Sequence, residues 1–272
     1  MQNSNSIRII FIGDVVGKPG RRMVAESCLL MKKKFSPDLI IANGENVAGG
    51  LGITDNTSND LFNAGVDFIT GGNHIFDKRE SVDLLNSSNN IIRPINYPDN
   101  VPGRGFCEIN VKEDINITIV NLQGRVFMEP VVDNPFNAID NRLKKIRSKI
   151  IFVDFHAEAT AEKQAMGFYL DGRVSVMVGT HTHVPTADAR ILANGTAYQT
   201  DVGMTGSLDS VIGMKRGPVL EKFKTGINQR WEVAKKNVIM DTVIIDINTD
   251  TGRSTYVKSL RLYADDIHNQ LS

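Results

Sequence analysis

The stretch VSVMVGTHTHVP (174–185) joins a mostly apolar run of strand length to two histidines that lie two residues apart. Apolar runs without alternation are typical of strands buried on both faces of a parallel sheet. Similar runs recur along the chain as IRIIFIG (7–13), DLIIAN (38–43), VDFITGG (66–72), INITIVNL (115–122), KIIFVDF (149–155), AYQTDVG (197–203) and VIMDTVIIDIN (238–248). The repetition predicts a core built around β-strands.

Segments with helical spacing lie between many of these runs. They are RRMVAESCLLMKKKF (21–35), NTSNDLFNAG (56–65), KRESVDLLN (78–86), NAIDNRLKKIRS (137–148) and TAEKQAMGFYL (160–170). Helices between strands imply crossovers that cover a sheet, so the sequence predicts an α/β fold. TDTGR (249–253) predicts a hairpin turn into a last strand. No Pro/Gly/Ser-rich linker divides the chain, and we expect a single domain over residues 1–272.

The composition describes a chain with a substantial core and no excess of charge. Of the 272 residues, 41% are hydrophobic and 23% are charged, and 31 basic residues balance 31 acidic ones. This neutral balance argues against a stable nucleic-acid complex or membrane binding driven by charge. No apolar run approaches the roughly 20 residues of a membrane span, and MQNSNSIRI (1–9) lacks a basic and apolar leader. We therefore expect a cytoplasmic protein.

Polar side chains follow five of the predicted strands, at the point where each strand ends. Ligands of open α/β folds bind outside the carboxyl ends of the strands, where such side chains can converge. The candidates are Asp14, Glu45, Asn46, Asn73, His74, His156, His181 and His183. Four of the five histidines in the chain belong to this set, whereas a single histidine in such a place is more often structural.

The types of these side chains indicate a metal site. Imidazoles, carboxylates and carboxamides without cysteine form a nitrogen and oxygen ligand set that suits iron, manganese or zinc. Six or seven ligands are too many for one tetrahedral ion, but they suit two ions roughly 3.5–4 Å apart with a bridging carboxylate. Such pairs activate water and hold phosphoryl oxygens in phosphatases and nucleases.

Six motifs carry a resemblance to a known family. They are GDVVGKPG (13–20), NGEN (43–46), GGNHIFD (71–77), DFHAEATAEKQAMG (154–167), GTHTHVPTAD (179–188) and TDVGMTG (200–206). In this order they resemble the bacterial calcineurin-like metallophosphoesterases of the YmdB type, which are cyclic-nucleotide phosphodiesterases. The resemblance covers nearly the whole chain. It implies a layered sandwich in which helices flank β-sheets, with the active site at the carboxyl ends of the strands.

Two positions separate this chain from metallophosphoesterases in general. Val16 stands where the general first motif, Asp-x-His, has its histidine, and the second motif reads Gly-Glu-Asn instead of Gly-Asp. The YmdB type shares both departures, with the glutamate as the bridging ligand. The departures therefore favour the narrower family.

The resemblance also implies roles for the candidate residues. One divalent or trivalent metal ion would be held by Asp14, Glu45, Asn46 and His183, and a second by Glu45, Asn73, His156 and His181. Iron or manganese is expected, and zinc also suits the ligands. A hydroxide that bridges the metals would attack phosphorus in line, and His74 would be the general acid that protonates the leaving oxygen. The alternative for His74 is a role in orienting the phosphate or a ligand.

Three functions remain open at this stage. The first is a metallophosphodiesterase acting on small phosphodiesters, with 2′,3′-cyclic nucleotides implied by the resemblance, in a chain that can form a homo-oligomer. The second is a metal-dependent amidohydrolase, although those enzymes carry His-x-His after their first strand. The third is a regulatory protein that binds metals with weak or no turnover. For the specificity of an enzyme we expect loops 47–54, 97–105 and 125–136, and the resemblance adds that 201–223 lines the site.

Overall fold

The computed structural model describes residues 5–112 and 114–271, so residues 1–4, 113 and 272 of the predicted domain lie outside it. Within the described residues the chain forms thirteen strands. They are β1 Ser6–Ile12, β2 Asp14–Val15, β3 Leu39–Asn43, β4 Phe68–Thr70, β5 Phe106–Lys112, β6 Ile115–Gln123, β7 Ile150–His156, β8 Val176–Thr180, β9 Arg190–Ile191, β10 Ala197–Gln199, β11 Met204–Ser207, β12 Val238–Asn248 and β13 Ser254–Tyr263.

The same residues form seven α-helices and a short 3₁₀ helix, Ala264–Asp266. The α-helices are α1 Gly17–Phe35, α2 Asp55–Ala64, α3 Ser81–Ser87, α4 Pro135–Leu143, α5 Thr160–Leu170, α6 Arg216–Thr225 and α7 Ile267–Leu271. No helix of this part of the chain combines the length and apolar character needed to cross a bilayer.

The strands are arranged in two sheets. The first has seven strands in the order β2-β11-β12-β1-β3-β4, with β13 paired to β12. The second has six strands in the order β5-β6-β7-β8-β10-β9. Strands β1, β3 and β4 run parallel in the first sheet, and β6, β7, β8 and β10 run parallel in the second. β12 and β13 form the predicted hairpin.

The two sheets pack face to face, and helices cover their outer faces. Ile9 and Phe11 of β1 point into the core between the sheets, where the ring of Phe11 lies 5.3 Å from that of Phe152. Ile10 and Ile12, on the opposite face of the same strand, pack with residues of α1 and α2. The outer face of the second sheet packs on α4 and α5. Alternate side chains of β1 thus enter two cores, which explains why the run is apolar throughout.

The start of the first helix was predicted wrongly. Helix α1 begins at Gly17, four residues before the expected Arg21. Proline has no backbone N–H, but the N–H groups of the first helical turn need no partner within the helix. Pro19 can therefore lie inside the first turn.

Only the first three residues of the predicted strand 197–203 form a strand. They are β10 in the second sheet, and the chain then crosses to β11 in the first sheet. Gly203 has a φ of 95°, a conformation that glycine adopts at little cost. The segment 200–203 thus joins the two sheets next to the strand ends that carry the candidate residues.

Candidate metal centre and active site

The candidate residues lie where the carboxyl ends of the two sheets meet. Asp14 follows β1, the pair Glu45 and Asn46 follows β3, and the pair Asn73 and His74 follows β4, all in the first sheet. His156 ends β7, and the two histidines of the 174–185 stretch follow β8, both in the second sheet. Pairing between parallel strands brings each set to one edge, and the packing of the sheets brings the two edges together.

One group of side chains converges on the Nε2 atom of His156. Oε1 of Glu45, Oδ1 of Asn73 and Nδ1 of His181 each lie 3.0 Å from this nitrogen. His156 and Glu45 are completely buried. Three of these residues, Glu45, His156 and His181, place ligand atoms close enough to one another to hold a metal ion.

A hydrogen bond made by Nδ1, the ring nitrogen that does not face the group around Nε2, fixes the orientation of His156. Its Nδ1 lies 2.9 Å from Oγ1 of Thr180, and that hydroxyl donates to Oδ1 of the buried Asp154 at 2.7 Å. Since the hydroxyl proton is given to Asp154, the Thr180 oxygen accepts from Nδ1–H and leaves a lone pair on Nε2. With neutral imidazoles, lone pairs of nitrogen and oxygen then face one another around Nε2. This donor set fits a metal cation.

A second group adjoins the first. Nδ2 of Asn46 lies 3.2 Å from Oε1 of Glu45, 3.2 Å from Nε2 of His183 and 3.5 Å from Oδ1 of Asp14. The Nε2 of His183 is 3.7 Å from the same Asp14 oxygen. Asn46 thus turns its amide nitrogen toward the group, and a half-turn of the amide would exchange nitrogen for the oxygen that a metal requires. Nδ1 of His183 contacts the carbonyl oxygen of Ile212 at 2.9 Å.

Glu45 is the residue shared by both groups. Its Oε1 contacts His156 and Asn46, and its Oε2 accepts the backbone N–H of His74 at 2.9 Å. Gly72 makes this approach possible, because a Cβ atom there would lie 2.2 Å from Oε2 of Glu45 and 2.5 Å from the His156 ring. Glu45 therefore lies between the two groups and contacts both.

His74 lies beside the ligand groups instead of within them. Its Nδ1 is 2.8 Å from Oδ2 of Asp77, and its side chain is 32% exposed. It borders a cavity of about 280 Å³ that Glu45, Asn46, His181 and His183 also line. The imidazole is thus accessible to a ligand in this cavity and is oriented by a carboxylate.

The turn that carries the two histidines is strained. His181 and His183 have φ values of 105° and 64°, in the left-handed region that side chains rarely adopt. The turn is held by buried carboxylates: Oδ2 of Asp14 accepts the N–H of His181 at 3.1 Å, and Oδ2 of Asp201 accepts the N–H of Thr182 at 3.1 Å. Such strain persists only where the surroundings fix the conformation, as they do here.

Burial and mutual charge shift the pKa values of the site. Burial opposes charge on both His156 and Glu45, but their contact outweighs it, so the pKa of His156 rises to about 9 and that of Glu45 falls to about 2. Burial raises the pKa of Asp14, and raises that of Asp154 to about 6. Burial, aided by His156, lowers the pKa of His181 to about 3. The carboxylates of the site thus need a positive partner, and a metal cation on Nε2 of His156 would replace the proton that Glu45 favours there.

The cavity is lined in part by apolar residues, and Trp231 is the one among them that the sequence analysis did not anticipate. Leu51, Ile212, Met214 and Trp231 border it. Leu51 and the segment 201–223 were expected there, whereas none of the described residues that line it comes from 97–105 or 125–136. The sequence offers one signal that could have drawn attention to Trp231, since it is the single tryptophan of the chain. No motif, however, links it to the histidines.

Comparisons with known proteins identify the family of the chain. The model of the YmdB-like protein family matches residues 10–260. A 2′,3′-cyclic-nucleotide 2′-phosphodiesterase of Bacillus subtilis (strain 168) is 47% identical over 96% of this chain and 98% of its own.

Two crystal structures share the fold. One, of a hypothetical protein from Thermus thermophilus, has a TM-score of 0.88 at 40% identity and covers 94% of this chain and 99% of its own. The other, of a novel phosphatase from Mycoplasma pneumoniae, has a TM-score of 0.91 at 34% identity. It covers 95% of this chain and 94% of its own. The predicted α/β sandwich is confirmed.

The prediction of an enzyme that hydrolyses phosphoric esters is likewise confirmed at the level of its class. The candidate glutamate and histidine ligands support the use of a metal by such an enzyme. Because the family model spans most of the chain, and because the relatives match along nearly their full length, the chain belongs to the YmdB-like protein family.

Proposed function

We propose that the protein is a dinuclear metal-dependent phosphodiesterase that hydrolyses small phosphodiesters, with 2′,3′-cyclic nucleotides as its substrates. The observation that carries the proposal is the convergence of Glu45, Asn73 and His181 on Nε2 of His156. The name of the Bacillus subtilis relative supports the substrate. The pairing of β1 with β12, from opposite ends of the chain, supports a single domain that acts as one unit.

The two groups of side chains support two metal positions. Asp14, Glu45, Asn46 and His183 would hold one ion, and Glu45, Asn73, His156 and His181 would hold the other. The hydrogen-bond-length contacts between these side chains fall into the same two sets, and Glu45 has contacts in both. The ligands suit iron or manganese, and zinc as well, since all three accept imidazole with oxygen ligands.

The bound ions would supply positive charge for the phosphoryl oxygens and a water of lowered pKa as the nucleophile. The chain itself supplies the positions of these groups. Thr180 and Asp154 keep the Nε2 lone pair of His156 directed into the site, and Ile212 does the same for His183 through its carbonyl oxygen. Ligands oriented in this way stay in place during a reaction.

His74 is the proposed general acid. Its Nδ1 is engaged by Asp77, so Nε2 is the nitrogen that can give a proton to the leaving ribose oxygen. A ribose oxygen leaves poorly as an anion, and a placed proton donor is worth roughly 10²–10⁴ in rate. The position of His74 at the cavity, outside the contacts that join the ligand groups, fits a donor better than a ligand.

The experiment that tests the proposal combines metal analysis with turnover. We expect purified protein loaded with manganese to contain two ions per chain and to hydrolyse 2′,3′-cyclic AMP and bis(p-nitrophenyl) phosphate. Glu45→Ala should bind fewer ions, because it removes the shared ligand. Glu221→Ala is the matched control, since this exposed carboxylate of α6 lies outside the cavity and the proposed ligand set.

Two results would contradict the proposal. Unaltered metal content in Glu45→Ala would exclude the bridge, and metal binding without turnover of any phosphodiester would favour the regulatory alternative. A cytoplasmic location and a homo-oligomer stay predictions from the sequence and the family resemblance.

A further inference from the structure

The cavity beside the candidate metal ligands has two unlike sides. One side carries the carboxylate, amide and imidazole groups of the site. The other carries large apolar side chains that are only partly covered: Leu51 is 42% exposed, Ile212 is 41% exposed and Trp231 is 37% exposed. Met214 completes this side. Partly exposed apolar side chains that face one cavity indicate a binding surface, because leaving them in water is unfavourable.

The apolar side is held in place by backbone contacts. The segments that contain Met214 and Trp231 are joined by an antiparallel bridge between Met214 and Val233. The N–H of Lys215 donates to the carbonyl oxygen of Glu232 at 2.8 Å, next to the tryptophan. The apolar side of the cavity is therefore preorganised, which reduces the entropy lost when a ligand binds.

The apolar side is also tied to a candidate metal ligand. The carbonyl oxygen of Ile212 lies 2.9 Å from Nδ1 of His183. Ile212 has a φ of 48°, which is costly for a β-branched residue and indicates that its surroundings fix it. The contact between Ile212 and His183 thus fixes the distance between the side of the cavity that carries the candidate metal ligands and its apolar side.

Trp231 offers a flat aromatic surface. The Nζ atom of Lys222 lies 4.9 Å from the centroid of the ring, a cation–π contact that helps to fix the indole. A nucleobase that stacks on a protein aromatic ring gains roughly 10- to 100-fold in affinity, whatever the base, since every base has a π face. A nucleotide matches the two sides of the cavity, because it has a charged phosphate at one end and an aromatic base at the other.

We propose that Trp231, together with Leu51, Ile212 and Met214, binds the nucleobase of the substrate. This inference rests on the proposed function, because it names the part of the site that distinguishes a nucleotide from a bare phosphodiester. Trp231 is then a specificity residue that favours nucleotides over phosphodiesters without a base and discriminates little among bases.

The test compares two cyclic phosphodiesters that differ in the base. Wild-type protein, Trp231→Ala and Trp231→Phe are loaded with manganese and assayed with 2′,3′-cyclic AMP and with glycerol 1,2-cyclic phosphate, which has no base. We expect the ratio of kcat/KM for the nucleotide to that for the glycerol ester to fall at least tenfold in Trp231→Ala, through KM. Trp231→Phe should restore most of this ratio. Phe168→Ala, which removes an aromatic ring 64% exposed on α5, should leave the ratio unchanged.

The outcomes separate the two proposals. An unchanged ratio in Trp231→Ala, in a wild-type protein that hydrolyses both esters, overturns the stacking role and leaves the proposed function intact. A wild-type protein that hydrolyses the glycerol ester but not the nucleotide overturns both the substrate and the stacking role. The single tryptophan gives a second readout: adenosine 3′-monophosphate should quench the protein fluorescence and glycerol 3-phosphate should not. Equal effects of the two ligands would overturn the stacking.

Discussion

Lys163 and Asp201 form an ion pair in the interior, with 2.6 Å between Nζ and Oδ2 and with both side chains 1% exposed. The same Oδ2 atom accepts the N–H of Thr182, and Oδ1 accepts the N–H of Gly203 at 2.9 Å. Lys163 belongs to α5, and Asp201 lies in the segment that joins the two sheets. The ion pair therefore connects a helix, the sheet crossover and the strained turn of the two histidines.

Asp201→Ala should destabilise the protein by about 3–5 kcal/mol, because it leaves a buried lysine without its partner. It should also weaken manganese binding, because Thr182 loses the acceptor that holds its turn. Urea unfolding and a manganese titration measure the two effects. The double variant Lys163→Met with Asp201→Ala is the control, since it removes the unpaired charge, and it should be more stable than the single variant. A single variant within about 1 kcal/mol of wild type would show that the pair has no such role.

His74→Ala should lower kcat by roughly 10²–10⁴ on 2′,3′-cyclic AMP while the metal content stays that of the wild type, because the imidazole gives a proton and holds no ion. Asp77→Asn should lower kcat less, since it removes only the carboxylate that orients the imidazole through Nδ1. Steady-state kinetics and elemental analysis measure both effects.

The leaving group provides the control for this role. p-Nitrophenolate is a stable anion that departs without a proton, so the loss in His74→Ala should be much smaller with bis(p-nitrophenyl) phosphate than with the cyclic nucleotide. Equal losses on both substrates would instead indicate that His74 orients the phosphate.

The strand ends could be predicted from the sequence because topology alone positions them. Asp14 and Glu45 each follow an apolar run of the first sheet, and the carboxyl ends of parallel strands meet at one edge whatever the loops do. The proposed ligands then followed from the types of side chain and from the family resemblance. The face-to-face packing of two separate sheets followed from the resemblance and not from the periodicity.

Trp231, on the apolar side of the cavity, could not be predicted in this way, whereas Leu51, Ile212 and Met214 lie in segments that were expected there. Trp231 lies in a segment without helix or strand, and an isolated bridge beside it, between Met214 and Val233, holds that segment in place. Lys163 illustrates the same limit, since a lysine in a helical pattern is normally solvated. Its partner is 38 residues away, on a crossover that the sequence presented as a continuous strand.

Gly72→Ala should reduce metal binding and stability together. A Cβ atom there would lie 2.2 Å from Oε2 of Glu45 and 2.5 Å from the ring of His156, so both proposed ligands must move. Overpacking of a buried site costs about 1–3 kcal/mol. Gly217→Ala is the matched control for metal binding, because a Cβ atom at this position of α6 meets nothing within 4 Å apart from its chain neighbours and leaves the proposed ligands in place. Wild-type metal affinity in Gly72→Ala would show that the ligands do not need their observed positions.

Asp188 should make the stability of the protein depend on pH in the acid range. Burial opposes its charge, but hydrogen bonds from the hydroxyls of Thr186 and Thr200, at 2.6 Å and 2.5 Å, lower its pKa below the usual value. An acid whose pKa is lower in the folded state stabilises that state fully above its unfolded pKa of about 3.9, and the contribution is lost as pH falls through the folded pKa. Asp188→Asn should therefore cost about 1–3 kcal/mol at pH 7, and the difference from wild type should shrink below about pH 4. Urea unfolding between pH 7 and pH 3 measures this difference, and a constant difference over that range would exclude a stabilising charge on Asp188.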